Sequence, residues 1–188
     1  MNLYISDLHF GHNNVIRFDQ RPFNDVEEMD NCLIQLWNSR VAPDDDVYIV
    51  GDFAYKNKKD EEWYLQKLRG HKHLIIGNHD GRLLQNDWAM SYFETVDKMM
   101  NVTDGENQIV LCHYPMIEWY KSRHGTWLIY GHIHNRREET YLYMRTLDHA
   151  LNAAAAINNY TPVSFKELIR NNEVFKNSSD ASKERMEG

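Results

Sequence analysis

The sequence predicts an α/β domain, and two observations carry that expectation. Short apolar runs at 3–5, 47–50 and 73–76 alternate with stretches whose apolar residues recur at three- and four-residue steps. Strand, helix, strand, helix, strand at this spacing marks a sheet joined by parallel crossovers. The second observation is where the runs stop. Tyr4-Ile5-Ser6 opens into Asp7-Leu8-His9, the second run into Gly51-Asp52, and the third into Gly77-Asn78-His79-Asp80. In open α/β sheets ligands bind outside the carboxyl ends of the strands, so these polar groups are placed to converge.

Each element follows from its residues. Residues 3–5 read as a buried strand, and Gly11-His12-Asn13-Asn14 after it is turn chemistry. Val15 to Phe18 makes one helical turn, broken at Gln20-Arg21-Pro22. Asn24 or Asp25 caps the next helix, whose Val26, Met29, Cys32, Leu33, Leu36 and Trp37 form one apolar stripe. Pro43 and three aspartates end it. Residues 60–69 make an amphipathic helix closed by Gly70. The second half reads as more antiparallel: 93–102 and 108–111 flank Asp104-Gly105-Glu106-Asn107, a hairpin turn. A run at 126–130 ends in Gly131-His132-Ile133-His134, Arg136 to Glu139 is polar turn, and Leu151 to Ile157 is a last strand. A short helix over 165–169 follows Pro162. One domain is expected over residues 1–170, with 171–188 a polar, disordered tail.

Composition narrows the function classes. Hydrophobic residues at 42% and aromatics at 12% fit a globular chain rather than a disordered one. Met1 leads straight into the first strand, which argues against a leader, and no apolar run is long enough to span a bilayer. Cys32 and Cys112 read as two buried free thiols, so a reducing cytoplasm is expected. A net charge of −7 provides no basic face for duplex nucleic acid. The basic run Lys56-Asn57-Lys58-Lys59 is followed at once by Asp60-Glu61-Glu62 and reads as a solvated helix start.

The unusual item is ten histidines, several at strand ends. Strand ends carry Asp7 and His9, Asp52, Asn78 and His79, His113, and His132 with His134. Carboxylate and imidazole together suit a divalent transition metal, and this set offers too many ligands for one ion. Two ions need a bridging group. Asp52 is the best candidate, with Gly51 leaving room for close approach. Two divalent cations outweigh the charges of Asp7 and Asp52, and the residual positive charge suits a hydroxide nucleophile and an anionic phosphoryl group.

These blocks, Asp-x-His, Gly-Asp, Gly-Asn-His-Asp, His113 after an apolar run, and Gly-His-x-His, resemble the calcineurin-like metallophosphoesterases in order and spacing over roughly residues 3–135. Asp7-Leu8-His9-Phe10-Gly11-His12 followed by Arg21-Pro22-Phe23 is similar to a small single-domain bacterial and phage branch. The resemblance implies an α/β fold of two mixed β-sheets packed as a sandwich flanked by helices. It implies two divalent ions, with Mn favoured and Fe, Zn, Ni or Co accepted. Asp7, His9, Asp52 and His134 would hold the first, and Asp52, Asn78, His113 and His132 the second. His79 would protonate the leaving oxygen. Asp80 either orients His79 or caps the following segment. His12, Arg17 and Arg21 either meet substrate phosphate or make local bridges, and Arg82 is a further substrate candidate.

The expected activity is hydrolysis of a phosphate mono- or diester, nucleotide-sized. A nuclease of the same family and a non-catalytic metal-stabilised binding protein are the rivals. The chain departs from the family pattern at Asn152-Ala153-Ala154-Ala155-Ala156, where a glycine and an acidic residue are expected. That run either lines the site or is a packed strand.

Overall fold

The computed structural model describes residues 1–178. Eight strands form two four-stranded sheets. The first holds β1 (Asn2–Ile5), β2 (Asp46–Ile49), β3 (His71–Ile75) and β4 (Phe93–Asp97) in that order, all parallel. An antiparallel bridge from Val163 to Tyr4 closes its outer edge. The second holds β5 (Met99–Asp104), β6 (Asn107–Cys112), β7 (Trp127–Tyr130) and β8 (Ala150–Asn152); β5 and β6 are antiparallel and the other pairs parallel.

The layers follow from strand alternation. On β1, Leu3 and Ile5 pack outward with Met29, Leu33 and Trp37 of α2 (Val26–Arg40) and with Tyr64 and Leu65 of α3 (Glu61–Leu65). Tyr4 points the other way, into a layer shared with Ile109, Leu111, Ile129 and Leu151 of the second sheet. The far face of that sheet is covered by Tyr141 and Met144. The architecture is an α/β sandwich of two sheets with helices outside. It gathers the carboxyl ends of β1, β2, β3, β6 and β7 for the site.

Local chemistry accounts for the helix starts. Asp25 caps α2 by accepting the Glu28 N–H at 2.8 Å. The one-turn α1 (Asn13–Phe18) follows the first loop, and α4 (Asp87–Met90) is capped by Asn86.

The structure corrects several expectations. The stretch 93–102 is not one hairpin arm but β4 and β5 in different sheets. The break falls at Lys98, where the Asp97 carboxylate accepts the Lys98 N–H at 2.7 Å and bends the chain. Residues 139–144, absent from the sequence reading, form α5 (Glu139–Met144), with Tyr141 and Met144 buried. The 60–69 helix shortens to α3. The last strand stops at Asn152, and residues 153–155 cross to the first sheet instead. There the Ser6 N–H donates to the Ala153 carbonyl and the Ala155 N–H to the Ser6 carbonyl, both at 2.8 Å. Ala153, Ala154 and Ala155 are fully buried, so the alanine run is packing that lets two backbones touch.

The 165–169 helix continues as α6 (Phe165–Asn177), past residue 171 where a tail was expected. A Ser164–Glu167 capping box starts it. The buried Asn172 then anchors it, accepting the Asn152 N–H at 2.7 Å and donating to the Asn152 carbonyl at 3.0 Å. The remainder of the expected tail, 179–188, lies outside the described residues. Cys32 is half-buried rather than buried, and both cysteines are free. Among the described residues no helix is long and apolar enough to cross a membrane.

Candidate metal centre

The loops after the strands are held in an unusual backbone state. Asp7, His9, Asp52, His132 and His134 have φ of 55°, 53°, 56°, 71° and 53°. The left-handed region is unfavourable for L-residues other than glycine, and such strain clusters at ligand clamps. Here the neighbouring loops enforce it. The Asp7 N–H donates to Gly51 and the His9 N–H to Asp52, both at 3.0 Å. The His132 N–H reaches both Asp7 carboxylate oxygens at 3.1–3.2 Å.

The side chains converge in two sets. Asp7, His9, Asp52 and His134 place ligand atoms within 4.8 Å of one another, and all four are buried. His9 Nε2 lies 3.2 Å from His134 Nε2, and His134 Nε2 lies 3.3 Å from Asp7 Oδ1. In the second set Asn78 Oδ1 is 3.0 Å from His113 Nε2 and 2.9 Å from His132 Nδ1. Asn78 and His132 are exposed, so this set is the open side. Asp52 joins the two: its Oδ2 is 3.5 Å from His9 Nε2 and 3.5 Å from His113 Nε2.

This donor set fits cations. His134 donates Nδ1–H to Asp19 Oδ2 at 2.7 Å, and His113 donates Nδ1–H to the Val50 carbonyl at 2.9 Å. In its neutral form each ring is thereby left with an Nε2 lone pair facing carboxylate or amide oxygen. Inward lone pairs without intervening protons require positive charge between them. Uncompensated by a cation, the same carboxylates favour a proton on His113. Burial would lower His113, yet the Asp52 hydrogen bond and the charges of Asp7 and Asp52 push it up to about 9. Burial would raise Asp52, but the His113 contact holds it down at about 2. Burial and His134 keep His9 well below its ordinary value, hence neutral.

Of the other expected site residues, His79 is half-buried at the rim. Its ring sits 3.9 Å from that of Tyr55 and 5.4 Å from that of His9. Its N–H donates to Asp52 Oδ1 at 2.8 Å, fixing the shared carboxylate. Asp80 does neither thing expected of it. It is fully buried and accepts the N–H groups of Gly77, Phe53 and Asp52 at 2.7, 2.9 and 3.0 Å. It clasps the Asp52 loop to the Gly77 loop, and burial followed by the charge of Asp52 raises it to about 6.

Arg21 turns under the centre. Its side chain is fully buried and donates to the Leu8 and Asp7 carbonyls at 2.8 Å and to Asp19 at 3.0 Å. It braces the first ligand loop and faces away from solvent. Arg82 is tied to the Asn57 carbonyl and to Asp60 and Glu61. Arg17 lies over Phe18. His12 is buried, its ring 5.4 Å from that of His9, and burial lowers it to about 4.

Sequence reasoning missed Asp19, which orients His134 and pairs with Arg21. The carboxylate two residues before Arg21-Pro22 was the available signal. It also missed Asn152, whose amide donates to the His134 carbonyl at 2.8 Å and supplies support where an acidic residue was expected.

Two glycines are required by close approach. A Cβ on Gly51, at φ +87°, would lie 2.2 Å from His113 Nδ1, and one on Gly77 would lie 2.3 Å from Asp52 Oδ1. Gly51→Ala is therefore expected to displace the His113 ring, destabilise the chain by about 2–4 kcal/mol and weaken metal uptake. Thermal unfolding and metal analysis check this; a variant of unchanged melting temperature and metal content would contradict it.

No family model matches the chain. It is 32% identical to the Uncharacterized protein MJ1445 of Methanocaldococcus jannaschii, over 88% of each sequence. It is 30% identical to the Gene 66 protein of Mycobacterium phage L5, over 70% of this chain and 76% of the phage protein. Among solved structures it is similar to a protein of unknown function, AQ665 from Aquifex aeolicus. That match has 27% identity and a TM-score of 0.69, covering 90% of this chain and 98% of the other. These names state no activity, so chemistry has to come from the site.

Proposed function

This chain belongs to the family of the Methanocaldococcus jannaschii protein MJ1445, and we propose that it is a metal-dependent phosphoesterase of the calcineurin-like type. One observation carries the reading: two sets of four ligands share one carboxylate, Asp52, whose Oδ2 is 3.5 Å from an imidazole of each set. Asp7, His9, Asp52 and His134 would hold one divalent cation, and Asp52, Asn78, His113 and His132 the other. Manganese is the expected ion, since carboxylate, amide and imidazole ligands suit it. When bound, such a pair supplies Lewis acidity toward phosphoryl oxygens and makes water acidic enough to act as nucleophile near neutral pH.

The chain's own residues do the rest. Arg21 and Asp19 lock the first ligand loop and the His134 ring from beneath. Asp80 and the His79 N–H hold the Asp52 loop at the meeting point of the sets. The half-buried His79 ring stands over this centre with no carboxylate hydrogen-bonded to it among the described residues, so it is free to give a proton to the departing oxygen. The substrate is a phosphate ester of nucleotide size, because the second set opens directly to solvent.

His79→Ala is the test. It should retain metal and lose on the order of 10²–10⁴ in rate for alkyl esters, which need their leaving oxygen protonated, with far less loss for nitrophenyl esters. Equal losses for both ester types would remove the acid role.

A further inference from the structure

We infer that the chain has a second, separate binding site, a hollow walled by His12, Lys56, Lys58 and Lys59 that takes a small organic phosphate as its dianion. The inference does not depend on the phosphoesterase reading, since no candidate metal ligand lines this hollow.

The hollow has a volume of about 470 Å³ and lies between the 11–14 loop, the start of α2 at Val26 and Asp30, and the 56–59 loop. That is the size of a small-molecule site. Buried polar contacts fix its walls. Asp30 is buried and accepts the Gly11 N–H at 2.9 Å and the Tyr64 hydroxyl at 3.0 Å. The buried Asn57 amide donates to the Lys59 carbonyl at 2.6 Å and to Glu61 Oε1 at 2.9 Å. Asn57 also packs so closely on Gly11, at φ +76°, that a Cβ there would overlap its side chain. The loop that carries the three lysines is thereby clamped to the loop that carries His12.

Charge selects the ligand. Asp60, Glu61 and Glu62 follow the lysines at once in sequence, yet they are engaged elsewhere. Asp60 and Glu61 hold Arg82, and Glu62 accepts from Asn86 at 2.7 Å. Lys59 Nζ lies instead over the Trp63 ring at 3.7 Å and Lys56 Nζ over the Tyr55 ring at 5.2 Å. The carboxylates in the wall are the exposed Glu27 and Asp30, which already has two donors. Three ammonium groups against two carboxylates leave the hollow positive. Ammonium groups without a carboxylate partner are point-charge donors suited to phosphate.

A second, independent observation points to a guest. His12 lines the hollow, is 8% exposed, and its Nδ1 has no hydrogen-bond partner. A buried ring nitrogen left bare is costly unless something meets it. A neutral imidazole carries its proton on either nitrogen, so an Nδ1–H can donate to a phosphate oxygen without charging the ring. Phosphate alone fills only part of such a volume. Val26 and the lysine stems border the rest, which suits a sugar or similar organic group. Gly11 and His12 continue the loop that carries Asp7 and His9, so an occupant touches that loop.

The test is isothermal titration of the full-length, metal-free chain with adenosine monophosphate, ribose 5-phosphate and inorganic phosphate. Wild type is compared with a Lys56→Ala/Lys58→Ala double variant and with Asp52→Asn. At least one of the two organic phosphates should bind with Kd below about 1 mM and at least about tenfold tighter than inorganic phosphate. The lysine variant, which changes two exposed side chains, should weaken that binding about tenfold or more, and Asp52→Asn should leave it within about twofold. Absence of binding by both organic phosphates, binding unmoved in the lysine variant, or inorganic phosphate bound as tightly as they are overturns the inference. Binding lost in Asp52→Asn puts the ligand at the metal centre and overturns it too. None of these outcomes touches the phosphoesterase reading, which the His79→Ala rates decide.

Discussion

Asp52→Asn is expected to abolish turnover of phosphate esters, by roughly 10³-fold or more, and to lower metal content in the same preparation. The size follows from position. Asp52 Oδ2 is 3.5 Å from His9 Nε2 and from His113 Nε2, so under the proposed reading it would serve both ligand sets at once. Asparagine keeps the shape, and its carbonyl can still accept the His79 N–H that Asp52 Oδ1 accepts at 2.8 Å. The other position becomes an amide that cannot bridge cations, and the charge is gone. Metal analysis and nitrophenyl phosphate turnover, measured together, decide the matter; a variant with full activity would show that Asp52 is not shared.

The second large effect is on stability. Asp80→Ala should cost about 3 kcal/mol or more, because it strands three buried backbone N–H groups, each worth roughly 1–3 kcal/mol when left unsatisfied. Those donors belong to Gly77, Phe53 and Asp52, so the loss falls on the two loops that carry Asp52 and Asn78. For a chain of this size the melting temperature should fall by roughly 6–12 °C. Asp80→Asn, which keeps one acceptor oxygen, should lie between wild type and alanine. Calorimetry on all three proteins gives the order, and an alanine variant as stable as wild type would mean that the clasp contributes nothing.

What the sequence made legible was whatever is contiguous. Each ligand block follows an apolar run within a few residues, and a parallel sheet gathers such ends without further information. That is why Asp7, His9, Asp52, Asn78, His113, His132 and His134 were all nameable from spacing and resemblance, and the structure brings them together. The groups that hold them were not legible, because support depends on where a side chain turns. Arg21 has the composition of a phosphate contact, yet it points inward to Asp19 and two carbonyls. Asp80 sits next to His79 in sequence but binds three backbone donors instead of the ring. Asn172 looks like a tail residue and Asn152 like one more position of a strand; their buried contact anchors α6, which runs to Asn177. The Lys98 break was equally hidden, since β4 and β5 have the same strand chemistry and differ only in which sheet receives them.

The most direct measurement is anomalous diffraction from crystals of the manganese-soaked protein. Two peaks are expected for each chain. One lies among Asp7, His9, Asp52 and His134, the other among Asp52, Asn78, His113 and His132, with the Asp52 carboxylate touching both. A single peak that leaves His113 and His132 uncoordinated, or no peak at all, would contradict the shared centre on which the proposed chemistry stands.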